Sequence, residues 1–309
     1  MKIFVTGSSG FIGSHLITLL GQSHDVHCMA SDLLSFDDVK REVIDVGPDI
    51  IIHLAARTEV AWSFDEPASF STINYSGTVN LVDAAIKVKN FKHFIFASTM
   101  EVYGWQPISD LVRDNKTFKP IAFDESTTPY PNAPYAVAKL ASEKYLEYAR
   151  RVYDLNYTIL RQTNAFGREE NDFFVTEHII SQMLKSNDVC LGAPTPYRNF
   201  IHIDDVVAAY QAVINNHDQL SGDAIYTLGP DNPFQIKEWA NIIADIMKWD
   251  GTITWNTKEP RPGEIYYLNS SNDKIWYDCD WEPKVNLHEG LERTVDHWRK
   301  KYANISNRL

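Results

Sequence analysis

Short apolar runs rich in β-branched residues stand at 2–6, 26–29, 50–55, 93–98 and 157–161. Between them, apolar residues recur every three or four positions at 12–21, 36–46, 76–88 and 135–152. Unbroken apolar runs predict strands buried on both faces, and the longer period predicts amphipathic helices. Strands alternating with helices predict an α/β fold with a doubly wound parallel sheet of the Rossmann type. Beyond residue 165 the alternation loosens and aromatic residues, Pro and Asn become frequent, which predicts a smaller C-terminal lobe. The stretch from Asp204 to Asn215 is again helical in period. The expected division is therefore 1–165 for the first lobe, with a return around 200–216, and 166–309 mainly for the second.

At 309 residues, 44% of them hydrophobic, the chain can bury a large core as two lobes. Its 29 basic and 41 acidic residues give a net charge of −12, which argues against nucleic acid or an anionic membrane as partner. An anionic ligand would need a local basic clamp. Cys28, Cys190 and Cys279 are isolated, so buried, reduced thiols are expected, with neither disulfides nor a metal site. The first strand run begins at residue 2, leaving no room for a signal peptide, and no apolar run approaches membrane-spanning length. A soluble cytoplasmic protein is expected.

Two motifs carry chemistry. The run Lys2–Thr6 leads at once into Gly7-Ser-Ser-Gly10-Phe11-Ile12-Gly13 and an apolar helix. Glycines permit a tight turn and close approach to a pyrophosphate, and the free N–H groups and dipole at the helix start favour the anion. Farther on, Tyr135 and Lys139 stand four apart at the head of a helical stretch, so both leave one helical face. A phenol has an ordinary pKa near ~10, and an adjacent ammonium favours its phenolate, so the pair is suited to moving a hydroxyl proton.

Together with Ser98-Thr99-Met100-Glu101-Val102-Tyr103-Gly104, these residues resemble the extended short-chain dehydrogenase/reductase family, whose members modify nucleotide sugars. The resemblance runs through essentially the whole chain. It includes Leu54-Ala55-Ala56, Asn74-Tyr-Ser-Gly-Thr78, Arg161-Gln-Thr-Asn164, Arg198-Asn-Phe-Ile-His-Ile-Asp-Asp205 and Arg261-Pro-Gly-Glu264. It implies a dinucleotide-binding first lobe and a substrate-binding second lobe. The implied cofactor is NAD, with NADP as the alternative, held by Gly7, Gly10, Phe11, Ile12, Gly13, Leu54, Ala55, Ala56, Ser98, Tyr135 and Lys139. Asp32 with Leu33 is implied at the adenosine end. No basic residue follows Met29 to receive a 2′-phosphate, and no unambiguous ribose acid stands there either. Between Val26–Met29 and Asp32 the chain is shorter than in many relatives, so a sheet one strand short is expected.

The resemblance also implies oxidation of a sugar hydroxyl at C4. Tyr135 takes the proton, Lys139 holds the ribose and lowers the phenol's pKa, and Thr99, or alternatively Ser98, bonds the reacting oxygen. Glu101 matches the C5 base of sugar-nucleotide 4,6-dehydratases, but Met100 stands where some of those enzymes carry a proton donor. His178 is placed like a proton donor of GDP-fucose synthase. Asn164, Arg198 and Arg261 match contacts to a nucleotide-diphosphate sugar, the arginines suiting phosphate through their planar fork. Helices 76–88 and 135–152 are the dimerising pair of relatives, so a homodimer is expected. The longer connection from Trp105 to Phe123 would line the pocket or decorate the surface. A nucleotide-sugar 4-epimerase is the leading expectation. A 4,6-dehydratase, an NADPH-dependent 4-keto-sugar reductase and a non-catalytic cofactor-binding protein are the alternatives.

Overall fold

The structure, a computed structural model, describes residues 1–113 and 121–306. Its centre is a sheet of six strands, β1 (Lys2–Thr6), β2 (Asp25–Cys28), β3 (Ile50–His53), β4 (His93–Thr99), β5 (Tyr157–Gln162) and a last strand, Asp223–Leu228. The order is last strand, β5, β4, β3, β1, β2, and every pairing is parallel. The chain thus winds outward in both directions from between β1 and β3, the doubly wound arrangement that the alternation predicted.

Both faces of the sheet are covered, which is why its strands read as unbroken apolar runs. Ile3 and Val5 join Ile50, Ile52, Ile95 and Leu160 in one cluster, completed by Leu16 and Leu20 of α1 (Phe11–Leu20) and by Val206, Tyr210 and Val213 of the helix Ile203–Asn216. Phe4 joins Ile51, Phe94, Phe96 and Ile159 on the other face. There Val39 and Val43 of α2 (Phe36–Val46), Leu81 of Gly77–Ala85 and Leu146 of Pro134–Tyr153 pack against them. Helix packing on alternate faces of successive strand residues fixes the register.

From β2 the chain passes straight into α2, and among the described residues no strand extends the sheet beyond β2. The short connection therefore leaves β2 at the edge. This corrects one expectation about the cysteines: Cys28, at the end of that edge strand, is exposed. So is Cys190, in the short strand Asp188–Cys190, and only Cys279 is buried. All three are free thiols.

After residue 165 a separate apolar cluster forms around Trp239, stacked on Phe200 with ring centroids 3.8 Å apart, and includes Phe166, Ile179, Ile180, Ile243, Leu291 and Trp298. The Trp105–Phe123 connection contains the helix Pro107–Arg113, whose Ile108 and Val112 pack with Met100, Tyr103, Phe123 and Tyr267. Its residues 114–120 lie outside the described residues. Among the described residues no helix is long and apolar enough to cross a membrane, and no cluster of His, Cys, Asp and Glu could hold a metal ion.

Candidate active site

The glycine turn packs against the end of β3. Gly7 has φ of +69°, and a Cβ there would lie 2.7 Å from the Ala55 nitrogen; one at Gly13 would lie 2.1 Å from the Gly7 carbonyl oxygen. Only glycine fits either position. The Thr6 hydroxyl accepts the Ala55 N–H at 3.1 Å and meets His53 Nδ1 at 2.7 Å, while His53 Nε2 reaches Thr78 at 3.0 Å. Leu54 continues the same contact through its N–H to the Thr6 carbonyl at 3.3 Å, and Ala56 follows it. α1 begins at Gly10 with no side-chain cap and no acidic residue in its first turn. Its first N–H groups and positive dipole end are therefore available to an anion. A dinucleotide pyrophosphate fits this cradle, with Phe11 and Ile12 opening the helix beside it.

A stripe along the helix Pro134–Tyr153 carries the next groups. Pro134 sits in the first turn, where its missing N–H costs nothing. Tyr135, Lys139 and Glu143 follow at intervals of four and are 7%, 3% and 0% exposed. The Thr99 hydroxyl acts on the Tyr135 phenol, favouring its ionised form, and accepts the Glu101 N–H at 3.1 Å. Ser98, the alternative to Thr99, points elsewhere. Its hydroxyl donates to Glu143 at 2.5 Å, and Glu143 is held by Arg161 at 2.7 Å. Successive residues at a strand end face opposite sides, so one hydroxyl meets the phenol and the other joins the ion pair.

Lys139 donates to the Ala97 carbonyl at 2.7 Å and lies 4.7 Å from the centre of the Phe96 ring. Burial pushes this ammonium down to about 7, against the pull of the Glu143 charge. Burial also pushes the Tyr135 phenol well above its ordinary value. The Thr99 hydroxyl works against that shift, and the charges of Glu101 and Glu59 add to it. Burial dominates at the phenol, and the Lys139 ammonium is turned to the Ala97 carbonyl.

On the far side Arg198 and Arg261 converge on one carboxylate. Glu264 lies 3.2 Å from Arg198 and 2.9 Å from Arg261. The Glu101 charge acts on both arginines as well as on Tyr135. Its Oε2 is buried without a hydrogen-bond partner, as are Gln162 Oε1 at the end of β5 and Asn132 Oδ1 just ahead of Pro134. Buried polar atoms without partners are uncommon in finished cores; of these three, Glu101 bonds Thr99 through its N–H and Gln162 stands opposite Thr99 in the sheet. Asn164 opens the short strand Asn164–Phe166, paired with Phe200–His202.

Two expected residues stand apart from this group. His178, on the helix Val175–Lys185, meets Gln182 at 2.6 Å, and burial followed by the Lys258 charge lowers its pKa. Asp32 accepts the Leu34 N–H at 3.0 Å in a turn that leads into α2, and Leu33 is buried against Gly77.

Three further residues escaped the sequence reading. Arg168 lies 4.3 Å from the Phe11 ring centre and 3.7 Å from that of Phe174, beside the start of α1. Glu143 anchors the stripe, and Glu264 joins the two arginines. Their signals were present, in Gly167-Arg168, in the second repeat of the four-residue interval and in the last residue of Arg261-Pro-Gly-Glu264.

Comparison with known proteins places this geometry. The model of the NAD dependent epimerase/dehydratase family matches residues 3–229. The chain is 28% identical to the GDP-6-deoxy-D-mannose reductase of Pseudomonas aeruginosa, over 97% of this chain and 98% of that protein. It is 26% identical to the dTDP-D-glucose 4,6-dehydratase of Mus musculus, over 99% and 91%. Among solved structures it resembles a UDP-glucose 4-epimerase of Thermotoga maritima with UDP-glucose, with a TM-score of 0.86 and 28% identity over 98% of this chain and 100% of that one. The glycine cradle, the Tyr135–Lys139 stripe and these likenesses agree, and the chain belongs to the NAD-dependent epimerase/dehydratase family.

Proposed function

We propose that this chain is a nucleotide-sugar 4-epimerase. The buried Tyr135–Lys139–Glu143 stripe, with the Thr99 hydroxyl favouring the ionised phenol, is the observation that carries the reading. In this reading the cofactor pyrophosphate sits on Gly7, Gly10, Phe11, Ile12 and Gly13, with Leu54, Ala55 and Ala56 along its side and Asp32 and Leu33 toward the adenosine. Bound there, NAD would supply a hydride acceptor for the sugar's C4 and a positive charge favouring the phenolate. Thr99 orients the C4 hydroxyl and Tyr135 takes its proton, later returning it once hydride has come back to the opposite face of the ketone. Lys139 gives one of its three N–H groups to Ala97, which leaves two for ribose hydroxyls. Arg198, Arg261 and Asn164 would hold the nucleotide diphosphate.

The unpartnered Glu101 Oε2 supports a second reading, a 4,6-dehydratase in which Glu101 removes the C5 proton made acidic by the C4 ketone. Met100 ranks it second. Its side chain is buried in an apolar cluster and has no proton with which to expel the C6 hydroxyl.

In this reading 1–165 and the returning helix near 200–216 would hold the dinucleotide and 166–309 would mainly hold the sugar, although its strand Asp223–Leu228 belongs to the central sheet. We further propose a cytoplasmic homodimer, which the three free thiols accord with. One face of the helix Pro134–Tyr153 exposes Val137, Tyr148 and Val152 at 52%, 38% and 54%, an apolar stripe suited to a second copy.

The test is incubation of the purified protein with UDP-, dTDP-, GDP- and CDP-hexoses in deuterated water without added cofactor, read by mass spectrometry and proton NMR. A mass-neutral C4 epimer free of deuterium is the expected product. Loss of water with deuterium at C5 would replace it by the dehydratase. Product only on supplying NADPH and a 4-keto-sugar would identify a reductase, and binding without turnover a non-catalytic protein.

A further inference from the structure

At the carboxyl end of β2 a single carboxylate occupies the donors of the loop. Met29 extends the parallel ladder through its N–H to the Val5 carbonyl at 3.0 Å, and the chain then leaves the sheet as Ala30 and Ser31. Glu42, within α2, reaches back to this point. Its Oε1 accepts the Ala30 N–H at 2.8 Å and lies 2.9 Å from His27 Nε2; its Oε2 accepts the Ser31 N–H at 2.8 Å and the Ser31 hydroxyl at 2.5 Å. These four partners match the roughly four lone-pair sites of a carboxylate. Burial raises the Glu42 carboxyl, but the hydrogen bonds from Ser31, Ala30 and His27 outweigh it and hold the group at about 2. The side chain is 14% exposed.

We propose that Glu42 sets the preference of this protein for NAD over NADP. The inference rests on the reading that the adenosine ribose lies at the end of β2, as it does when a pyrophosphate occupies the first turn of a doubly wound sheet. NADP differs there by a 2′-phosphate, which needs hydrogen-bond donors or cations. Both N–H groups and the hydroxyl at this strand end are already bound to a carboxylate. Residues 29–35 carry no cation, and Asp32 adds a second negative charge. The nearby cations of α2 are engaged elsewhere, Arg41 with Asp38 at 3.0 Å and Lys40 over the Phe36 ring at 5.6 Å. A free 2′-hydroxyl brings no charge and leaves Glu42 in place. Glu42 thus acts by charge and by fixing the loop, as a positioning residue that does not itself bond the ribose.

Calorimetric titration of nucleotide-stripped protein with NAD⁺ and with NADP⁺ tests this. Wild type is expected to bind NAD⁺ roughly 100-fold tighter, the order expected of like charges about 6 Å apart at an effective dielectric constant near 20. Glu42→Gln narrows the ratio at least about tenfold, mainly by strengthening NADP⁺, because half of that penalty or more is charge. A merely structural role would weaken both nucleotides alike and keep the ratio. His27→Arg, at a side chain 40% exposed, sets a cation against the same carboxylate and narrows the ratio without removing it; it decides the matter even where Glu42→Gln does not fold. Equal or tighter NADP⁺ binding by wild type, or an unchanged ratio in the folded variants, overturns the proposal. Binding of neither dinucleotide by wild type overturns the placement of the cofactor itself, and the proposal with it.

Discussion

Removing the single oxygen of Tyr135 separates chemistry from architecture. Tyr135→Phe keeps the ring edge-on to Phe70, whose centroid lies 6.5 Å away, and leaves Thr99 in its bond to the Glu101 N–H. Turnover of whichever sugar the panel identifies is expected to fall about 10²–10⁴-fold, the range for loss of a positioned general acid or base, while calorimetric dinucleotide affinity stays within error of wild type. A loss of affinity of the same size would show that the phenol is structural. At this scale the sequence displayed Tyr135, Lys139 and the Ser98–Thr99 pair, but it left open which hydroxyl meets the phenol. The deciding contact joins Ser98 to a glutamate 45 positions later. No local spacing reveals such a partner, because it depends on how the helix Pro134–Tyr153 lies across β4.

That helix is tied to the sheet by a buried ion pair, and the tie is what aligns the stripe. Arg161 on β5 bonds both Glu143 oxygens and gives a further N–H to the Tyr103 hydroxyl at 2.9 Å. Glu143→Gln would leave a buried guanidinium short of its counter-charge. Unfolding free energy in urea is expected to drop by about 3–5 kcal/mol, as when one partner of a buried pair is removed, and a change below 1 kcal/mol would mean that water or a shift of the chain satisfies Arg161. The long elements around this tie were legible because burial on both faces writes itself as apolar runs. Others were not. The expected helix 76–88 instead opens as a π-helical turn, Thr72–Ser76, before Gly77–Ala85. The Asn74 carbonyl there accepts the hydroxyls of Thr78 at 2.6 Å and Ser142 at 3.0 Å, and its side chain bonds both backbone groups of Arg57. Short pairs such as Asp188–Cys190 with Thr252–Thr254 are below the length at which a period can be read.

For the molecule as a whole, the net charge of −12 raised the question of how an anionic substrate is met; in the proposed reading Arg198 and Arg261 would meet it, their charges offset by Glu264 at 3.2 and 2.9 Å and by the Glu101 charge that acts on both. The exposed stripe of the long helix belongs to the same scale. The double substitution Tyr148→Glu and Val152→Glu is expected to convert a dimer into a monomer in sedimentation, and a monomeric wild type at micromolar concentration would refute that interface. Part of the acid sensitivity lies in the sheet, beside that of His202, which burial lowers to about 4. His53 is fully enclosed between Thr6 and Thr78, and His93 is buried opposite Thr158 at 2.8 Å. Burial lowers them to about 3 and about 4, with the Lys139 charge assisting at His53 and His217 at His93. Between those values and the ordinary 6.5 the unfolded chain binds protons that the folded chain refuses, so the contribution of these two histidines is full above pH 6.5 and is lost as the pH drops toward 4. Each histidine contributes up to about 1.4 kcal/mol per pH unit in that window. Melting temperature should therefore decline steeply from pH 6.5 to 4, and His93→Gln, whose amide keeps a bond to Thr158, should make that decline shallower. An equal slope in the variant would mean that His93 already carries its proton in the fold and that the acid sensitivity arises from the carboxylates instead.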